Sequence, residues 1–512
     1  MNISDDSFLD ISSFLCTKSM LCMCLTSKYL YNLFLNNTNN MILHKFTVKE
    51  HIKSLKFLHN NSFKILNINL NSNRHIEDYD FIYLKGIHTL NMSGCNQSTI
   101  TDKAFKNLKD VHILNMSKCY QRAITNKAFK SLKAIHSLNI SHCNQKTITD
   151  NAFANLKGIH TLNMSCCNQE TITDNAFEYL KGVHTLNMSN CNQETITDNA
   201  FKNLKGVYSL HMSFCNQETI TDKAFKNLKG IYFLDMSYCN QNLISNNAFK
   251  YLKGVCFLNI NHCYQTTISN KAFDYLKNIH TLDMIACTNI TDEAFENLKG
   301  IHTLNMTHCY QITDKAFENL KGIRSLDISF CNLNTLTDKA FKNLRGIHTL
   351  NMKGCNQKTI TDNAFKYLKD IHTLDITWCN QETITDNTFE NLKGIHTLNM
   401  TYCNQESITD KAFENLKGIH TLNMSNCNQK TITNNAFKNL KGIHTLNMSF
   451  CNQKTITDNI FENLKGIHTL TMVGCNQKTM TNKIFKTLKG IHILGMNNCE
   501  QKTVIDKTLK YL

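Results

Sequence analysis

Cysteine is the chemically reactive residue that this chain uses most regularly. Eighteen of its 23 cysteines recur from Cys95 to Cys499, almost always 24 residues apart. Thiols can bind zinc, form disulfides or act as nucleophiles, and each role requires a suitably placed partner group. None of the recurring cysteines has a partner that the other copies lack, and Cys22 and Cys24 have no second ligand pair nearby. We therefore predict free, buried thiols that behave as small apolar side chains, with no metal site.

Histidine forms a second regular column. Fourteen histidines occupy equivalent positions of the repeated unit, beginning with His88, His112 and His136. Stacked imidazoles could bind a metal, or could destabilise the chain by mutual repulsion when they become charged at about pH 6. The simpler interpretation is that they are exposed, neutral side chains copied by duplication. Because no reactive group is set apart from its column, we predict that the protein is not an enzyme, has no catalytic residue and binds no cofactor.

The elements that position these columns follow from the repeated unit. An internal period of this length indicates stacked supersecondary units rather than a domain with one centre. The segment Ile87-x-x-Leu90-x-Met92-x-x-Cys95 has the leucine-rich repeat pattern, in which alternating apolar side chains of a short strand point inward. Asp102 is expected to cap a helix of about two turns, and Gly86 to end the preceding helix in the left-handed conformation. The apolar positions of the first full copy are Leu84, Ile87, Leu90, Met92, Cys95, Ile100, Phe105 and Leu108.

These patterns predict an α/β fold, a leucine-rich repeat solenoid with a curved parallel sheet on the concave face and short helices on the convex face. A helix this short does not persist alone, so each unit must be stabilised by its neighbours. We predict three regions of the chain: a small helical segment at 1–46, a connector at 47–59, and an array of about 19 units at 60–512.

One form of the unit carries a more specific resemblance. The string Cys-x-x-Ile-Thr-Asp, at Cys287 to Asp292 and Cys309 to Asp314, resembles the cysteine-containing subfamily of leucine-rich repeats that is familiar from F-box adaptor proteins. Most other copies carry two extra residues, as between Cys143 and Asp150, in the loop between strand and helix. The near-identical copies, and a composition that suggests AT-rich coding, also resemble the expanded repeat families of large DNA viruses of amoebae.

Residues 1–46 lack the repeat and resemble an F-box, a helical module that docks on the Skp1-type linker of a cullin ubiquitin ligase. The usual Leu-Pro opening is absent, as it must be in a chain without proline, and the late tryptophan of the module has no counterpart. The alternative is that this segment only caps the first repeat. The resemblance assigns linker docking to Phe8, Leu9, Ile11, Phe14, Leu15, Leu21 and Leu25.

The residue just before each recurring cysteine varies, unlike its neighbours, and it is often aromatic. Aromatic side chains are favoured anchors of protein interfaces, so we predict a partner-binding rim at this position; the alternative is drift at a site indifferent to size. Nearby, the inserted loop carries glutamate in some copies and lysine in others, which could set the register of a long partner. The predicted rim residues are Phe214, Tyr238, Phe330, Trp378, Tyr402 and Phe450.

The charge of the chain argues against nucleic acid as the main partner. The formal net charge is +15, but 18 of the 55 basic residues form one column, from Lys85 to Lys489, where a helix C-terminus favours cations. When that column is left out of the count, the chain has 37 basic and 40 acidic residues. No stretch reaches the roughly 20 apolar residues that cross a bilayer, and the first residues lack a signal peptide. We expect no membrane partner and an intracellular location, in the cytoplasm, or the host cytoplasm if the protein is viral.

Together these features predict a protein–protein interaction protein that performs no chemistry itself. The resemblance implies a substrate-recognition adaptor of an SCF-type ubiquitin ligase, in which the F-box binds a Skp1-like linker and the array binds an unidentified protein target. The alternative is an interaction scaffold with no ubiquitin role. A nucleic-acid binder acting through the lysine column ranks below both.

Overall fold

The computed structural model describes residues 42–43, 46–48, 53–60, 64–331, 335–475, 488 and 490–497. The residues predicted to dock a Skp1-type linker, from Phe8 to Leu25, lie outside this range, as does nearly all of the F-box-like segment. The chain divides into two compact units, residues 1–253 and 254–512.

The first unit contains a parallel sheet built from one short strand per repeat. Strands of consecutive repeats pair so that identical residues lie side by side, for example Leu90 with Leu114 and Leu114 with Leu138. Two further short strands, Ile42–Leu43 and Lys64–Ile65, pair with each other. The sheet strands are Phe46–Thr47, Asn67–Asn69, Thr89–Asn91, Ile113–Asn115, Ser137–Asn139, Thr161–Asn163, Thr185–Asn187, Ser209–His211 and Phe233–Asp235.

The second unit repeats this arrangement with its own parallel strands. Here too the pairing aligns equivalent residues, such as Leu374 with Leu398, although two of its repeats are 22 rather than 24 residues long. Its strands are Phe257–Asn259, Thr281–Asp283, Thr303–Asn305, Ser325–Asp327, Thr349–Asn351, Thr373–Asp375, Thr397–Asn399, Thr421–Asn423, Thr445–Asn447, Thr469–Thr471 and Ile493–Gly495.

A short helix returns the chain to the next strand in each repeat. In the first unit the helices are Lys53–Asn60, Asp102–Phe105, Asn126–Phe129, Asp150–Phe153, Asp174–Phe177, Asp198–Phe201, Asp222–Phe225 and Asn246–Phe249, with 3₁₀ helices at Asp78–Leu84 and Glu178–Leu180. In the second unit they are Asp362–Phe365, Asp386–Glu390 and Asp410–Glu414, with 3₁₀ helices at Asn270–Tyr275, Asp292–Asn297, Ala316–Asn319, Ala340–Asn343, Ala436–Asn439 and Asp458–Leu464.

The predicted core is confirmed repeat by repeat. Side chains of the strand and helix alternate between the interior and solvent, and each interior column is filled by the same residue type in successive repeats. Phenylalanine is the largest of these, and Phe105 is fully buried. The first full copy buries Leu84, Ile87, Leu90, Met92, Cys95, Ile100, Phe105 and Leu108 at 2% exposure or less. Each unit is therefore a stack of layers whose core has no separate centre.

Two details of the helix prediction were wrong. The helix at Asp102–Phe105 has one turn rather than two, because the Leu108 amide donates to the Phe105 carbonyl at 2.9 Å and the chain tightens there. The cap is Thr101, whose hydroxyl accepts a hydrogen bond from the Lys103 amide at 3.2 Å. The left-handed conformation predicted at Gly86 is confirmed, with φ of 82°.

Asp102, predicted to cap its own helix, instead binds the next repeat. Its two carboxylate oxygens accept hydrogen bonds from the amide and the hydroxyl of Thr125, both at 2.7 Å. Asn126 makes the same bridge to Thr149, accepting from its amide and donating to its hydroxyl. The recurrent Thr-Asp pair thus joins neighbouring layers, and it does so with charge-assisted bonds where aspartate is present.

Repeat-like structure begins before the predicted start of the array. Phe46–Thr47 pairs in parallel with the strand Asn67–Asn69, and the helix Lys53–Asn60 occupies the second half of the predicted connector at 47–59 and ends one residue beyond it. No helix in the described part of the chain is long and apolar enough to cross a membrane.

Candidate interaction surface

The six predicted rim residues occupy one backbone position, at the turn that ends each strand. In this turn the Cys215 amide donates to the Met212 carbonyl, and the Phe214 amide donates to the Ser237 carbonyl of the next repeat at 2.9 Å. The backbone of the rim residue is left-handed, with φ between 57° and 63° for all six residues. The six predicted residues therefore occupy structurally equivalent positions, at Phe214, Tyr238, Phe330, Trp378, Tyr402 and Phe450.

The left-handed backbone makes these aromatic side chains an unfavourable choice for folding. An L-residue in this conformation costs roughly 1–2 kcal/mol, and glycine or asparagine accepts it most readily. The same turn does use glycine at Gly94, Gly354 and Gly474, and asparagine at Asn190 and Asn426. Backbone strain that persists at particular positions is a pointer to function. The sequence showed that this column varies. The backbone shows that its non-glycine members, including Lys118, Cys166 and Ala286 as well as the aromatic residues, share the strained conformation.

In the first unit the rim places two rings face to face. Phe214 and Tyr238 stack with their centroids 4.2 Å apart and their planes 9° from parallel. Phe214 remains 45% exposed, and Tyr238 is half-buried. The pair forms a small apolar ledge at the ends of two neighbouring strands.

In the second unit the structure brings three of the four predicted residues together. The ring centroids of Phe330 and Trp378 are 5.9 Å apart, and those of Trp378 and Tyr402 are 5.8 Å apart. His308 extends the row by stacking on Phe330 at 4.8 Å. Trp378 and Tyr402 are 41% and 40% exposed. We name Phe330, Trp378 and Tyr402 the aromatic ledge of the second unit; Phe450 lies two repeats beyond Tyr402.

Lys353 completes this ledge and was not predicted as a site residue. Its ammonium lies 4.8 Å from the centre of the Trp378 ring and 5.6 Å from that of Phe330. This is the geometry of a cation–π interaction. The repeat between the two rings carries Gly354 at the rim position, which leaves room for them to approach.

Beside the ledge runs an asparagine ladder. The side-chain oxygen of Asn380 accepts the Asn404 amide at 2.7 Å, and that of Asn404 accepts the Asn428 amide at 2.6 Å. The first unit has the same ladder, for example from Asn168 to Asn192 at 2.7 Å. These asparagines directly follow the recurring cysteine, at the start of the loop between strand and helix, and they supply a hydrogen bond between layers.

The loop glutamates next to the ledge are exposed. Glu382 and Glu406 line an open groove of about 470 Å³ together with Asn380, Asn404, Gln405 and Ser407. Neither carboxylate forms a salt bridge within the described residues. Their charges are therefore available to a partner.

The recurring cysteines that the structure describes are buried thiols in an environment that disfavours reaction. The described cysteines are free thiols, and those at the recurring position are buried. Cys119 donates from Sγ to the Met92 carbonyl at 3.1 Å, as its counterparts do in other repeats. Burial raises the pKa of Cys119 to about 12, which disfavours the reactive thiolate.

The histidines form stacks along the edge of the sheet. In the second unit, rings from His348 to His492 lie 4.4–4.5 Å apart, nearly parallel. Burial, followed by repulsion from the neighbouring rings, lowers the pKa of His396. A bound metal ion requires each ligating nitrogen to lie about 2.1 Å away, with its lone pair directed at the ion. The lone pairs of two parallel stacked rings lie in separate planes, so two adjacent rings cannot both point at one ion. No group of three or more potential metal ligands exists among the described residues.

Comparisons with known proteins agree with this architecture. The family described as BspA type leucine-rich repeat region matches residues 122–255, 242–372 and 358–492, which together cover more than half of the chain. No curated protein matches the chain.

Two solved structures illustrate the shared fold. One is the TLR13–ssRNA13 complex, at 17% identity and a TM-score of 0.57, covering 90% of this chain and 68% of that one. The other is the Toll–Spatzle complex of Drosophila, at 12% identity and a TM-score of 0.55, covering 84% of this chain and 64% of that one. This chain thus spans less than two thirds of the Toll chain. The predicted leucine-rich repeat fold is confirmed, and the chain belongs to the BspA-type leucine-rich repeat family.

Proposed function

We propose that this protein is a protein–protein interaction protein whose array binds a protein target through the aromatic rim. One observation carries the proposal: large, exposed aromatic rings occupy a left-handed turn that favours glycine. The folding cost of a large ring at this turn is understandable if the ring is an interface anchor. The described surface offers stacked layers and an open edge, which suits recognition of an extended partner.

For the finer function we propose a substrate-recognition adaptor of an SCF-type ubiquitin ligase. The support is the resemblance of residues 1–46 to an F-box and its position before a leucine-rich repeat array. In this proposal 1–46 docks a Skp1-like linker, 47–59 connects, and 60–512 selects the target. The protein acts by bringing two proteins together and performs no catalysis itself.

Coprecipitation tests the adaptor role. A Skp1-type linker should be retained by the full chain and lost when Phe8, Leu9 and Leu15 are all replaced by aspartate. The matched control replaces Asn36, Asn37 and Asn39 by aspartate, which adds the same charge to a polar stretch of the same segment. Loss of the linker in the first variant alone supports the adaptor. If the full chain does not bind the linker, the adaptor proposal is overturned. The alternative of an interaction scaffold, in which the N-terminal segment only caps the first repeat, then remains.

The solved structures raise one competing partner class. TLR13 was solved in complex with single-stranded RNA, whereas Toll was solved in complex with Spatzle. An RNA partner of the present chain would give retention that falls steeply with salt, since phosphate contacts release counterions. We place it below a protein partner, because much of the positive charge lies in one column away from the rim.

A further inference from the structure

We propose that the aromatic ledge of the second unit, with the carboxylates beside it, binds an extended protein segment bearing one or two arginine side chains. The proposal rests on the interaction function proposed above and names the chemistry of the partner at one place. The docking position is the exposed pair Trp378 and Tyr402, with Glu382 and Glu406 on the loop side and Asp375 at the end of the adjoining strand.

The rings already hold a cation. Lys353 places its ammonium 4.8 Å from the Trp378 ring centre, although carboxylates lie in the neighbouring repeats. It forms no salt bridge within the described residues. The chain thus contains an internal example of the interaction proposed. The exposed surface of Trp378 and Tyr402 offers a further aromatic face, and a guanidinium stacks on such faces better than an ammonium does.

The local charge selects a cationic partner over a polyanion. The strand and loop segments that carry Trp378 and Tyr402, residues 372–384 and 396–408, contain Asp375, Glu382 and Glu406 but no lysine or arginine; Lys353 belongs to the preceding repeat. Asp375 accepts hydrogen bonds from the Thr377 amide and the Asn399 side chain, both at 2.8 Å, so its carboxylate is held in place at the C-terminal end of the strand Thr373–Asp375. A nucleic acid stacking on these rings would bring phosphates toward three carboxylates. The charge complementarity therefore favours arginine.

The same column limits the length of the basic segment. The loop position reads Lys358, Glu382, Glu406 and Lys430 in four successive repeats. The acidic stretch is two repeats wide, about 5 Å from strand to strand. Residues i and i+2 of an extended peptide share a face and lie about 7 Å apart. One or two arginines fit this stretch, whereas a longer basic run would meet Lys358 or Lys430.

Trp378 is the only tryptophan of the chain, so its fluorescence reports on the ledge alone. The full chain is titrated with a short glycine-rich peptide that contains Arg-Gly-Arg. A matched peptide that contains Glu-Gly-Glu and a single-stranded oligonucleotide are titrated in parallel, to test an acidic peptide and a nucleic acid as ligands. We expect the arginine peptide to change the Trp378 emission saturably, with an affinity that weakens as salt is added.

Substitutions then locate the site. The double variant Glu382→Gln/Glu406→Gln should weaken binding of the arginine peptide about tenfold, which corresponds to about 1.4 kcal/mol. The matched control is Glu170→Gln/Glu194→Gln, the same loop position in repeats whose rim residues are Cys166 and Asn190; its affinity should change less than about twofold. Trp378→Leu, followed by the anisotropy of a labelled peptide, should also weaken binding.

Each other outcome overturns the inference. A response to the glutamate peptide or the oligonucleotide in place of the arginine peptide assigns the ledge to another ligand. No response of Trp378 to any probe removes the site. An equal effect of the control variant shows that binding depends on overall charge. The linker coprecipitation does not involve residues 375–406. If the arginine peptide does not bind, the adaptor proposal still stands. If the linker is not retained, the proposed arginine site still stands.

Discussion

The ring of Phe330 lies over the backbone of Gly354 in the next repeat. A Cβ atom added to Gly354 would come within 2.6 Å of Phe330 Cδ1, and Gly354 itself has a left-handed φ of 70°. Phe450 and Gly474 repeat this relationship. At Phe330 and Phe450 the aromatic residue is thus paired with a glycine one layer further on, and in these two pairs the positions are not independent.

Gly354→Ala should therefore displace Phe330 as well as strain the turn. We expect a loss of about 2–3 kcal/mol in the free energy of unfolding, measured with denaturant, and a change in the native emission of Trp378. Gly394→Ala is the control, because that glycine also has a positive φ but no atom within 4 Å of the added Cβ. It should lose about 1–2 kcal/mol and leave Trp378 unchanged. Equal effects on Trp378 would contradict the packing argument.

Relief of the left-handed strain should be measurable at Lys118, an exposed rim residue with φ of 58°. Lys118→Gly should raise the free energy of unfolding by up to about 1 kcal/mol. Phe214→Gly should gain less, because it also loses the stack on Tyr238, worth about 0.5–1.5 kcal/mol. If Lys118→Gly were destabilising, the strain invoked for the rim would be absent.

The aspartate bridge between layers should distinguish two substitutions. Asp198 accepts hydrogen bonds from the amide and the hydroxyl of Thr221 at 2.8 and 2.7 Å. Asp198→Ala should lower the free energy of unfolding by about 2 kcal/mol, because the Thr221 groups lose their acceptor. Asp198→Asn should cost below about 1 kcal/mol, since Asn126 makes the same bridge to Thr149. Similar losses in both variants would show that charge, and not geometry, carries the bridge.

Adjacent cysteines should differ sharply in reactivity. Cys166 is half-buried at the rim, whereas Cys167 is buried, which raises its pKa to about 12. At pH 8 a thiol reagent should modify Cys166 first, as read from the masses of proteolytic peptides. In denaturant both should react alike. Rapid native labelling of Cys167 would show that its layer opens.

The buried thiols also predict loss of stability in alkali. Their pKa values are higher in the folded chain than the ordinary value of 9.0, for example about 12 for Cys119 and Cys215. Their contribution is therefore fully present below about pH 9 and is lost as the pH rises toward 12. Melting temperatures measured between pH 7 and 11 should fall above pH 9, and those of a Cys119→Ala/Cys215→Ala variant should fall less steeply. An unchanged slope would contradict this assignment.

The histidine stack predicts the opposite dependence on the acid side. Burial and the adjacent rings of His372 and His420 lower the pKa of His396 from its ordinary value of 6.5. The folded chain then binds fewer protons than the unfolded chain, so stability present above about pH 6.5 is lost as the pH falls through the lowered pKa. His396→Tyr, a residue that the column already uses at Tyr208, should reduce this loss between pH 7 and 5. NMR titration of His396 above 6.5 would contradict the prediction.

Much of the fold could be predicted because it depends on local pattern. The alternation of Leu90 and Met92 defines the strand, and a fixed repeat length forces each copy to stack on the last. Helix length and capping were less predictable, since Asp102 could bind its own helix or the next layer. The choice depends on where Thr125 lies in three dimensions. The asparagine ladder was missed for the same reason, although asparagine recurring after cysteine was its visible signal.

The sequence by itself determined the repeat, the interior columns and the position of the variable aromatic residues, because each is a matter of spacing along the chain. Only the tertiary structure decided that those residues occupy a left-handed turn, that Lys353 lies against Trp378 and that Gly354 makes room for Phe330. Such relationships join residues about one repeat apart, and they depend on backbone conformation and on the stacking of layers, which residue identity alone does not specify.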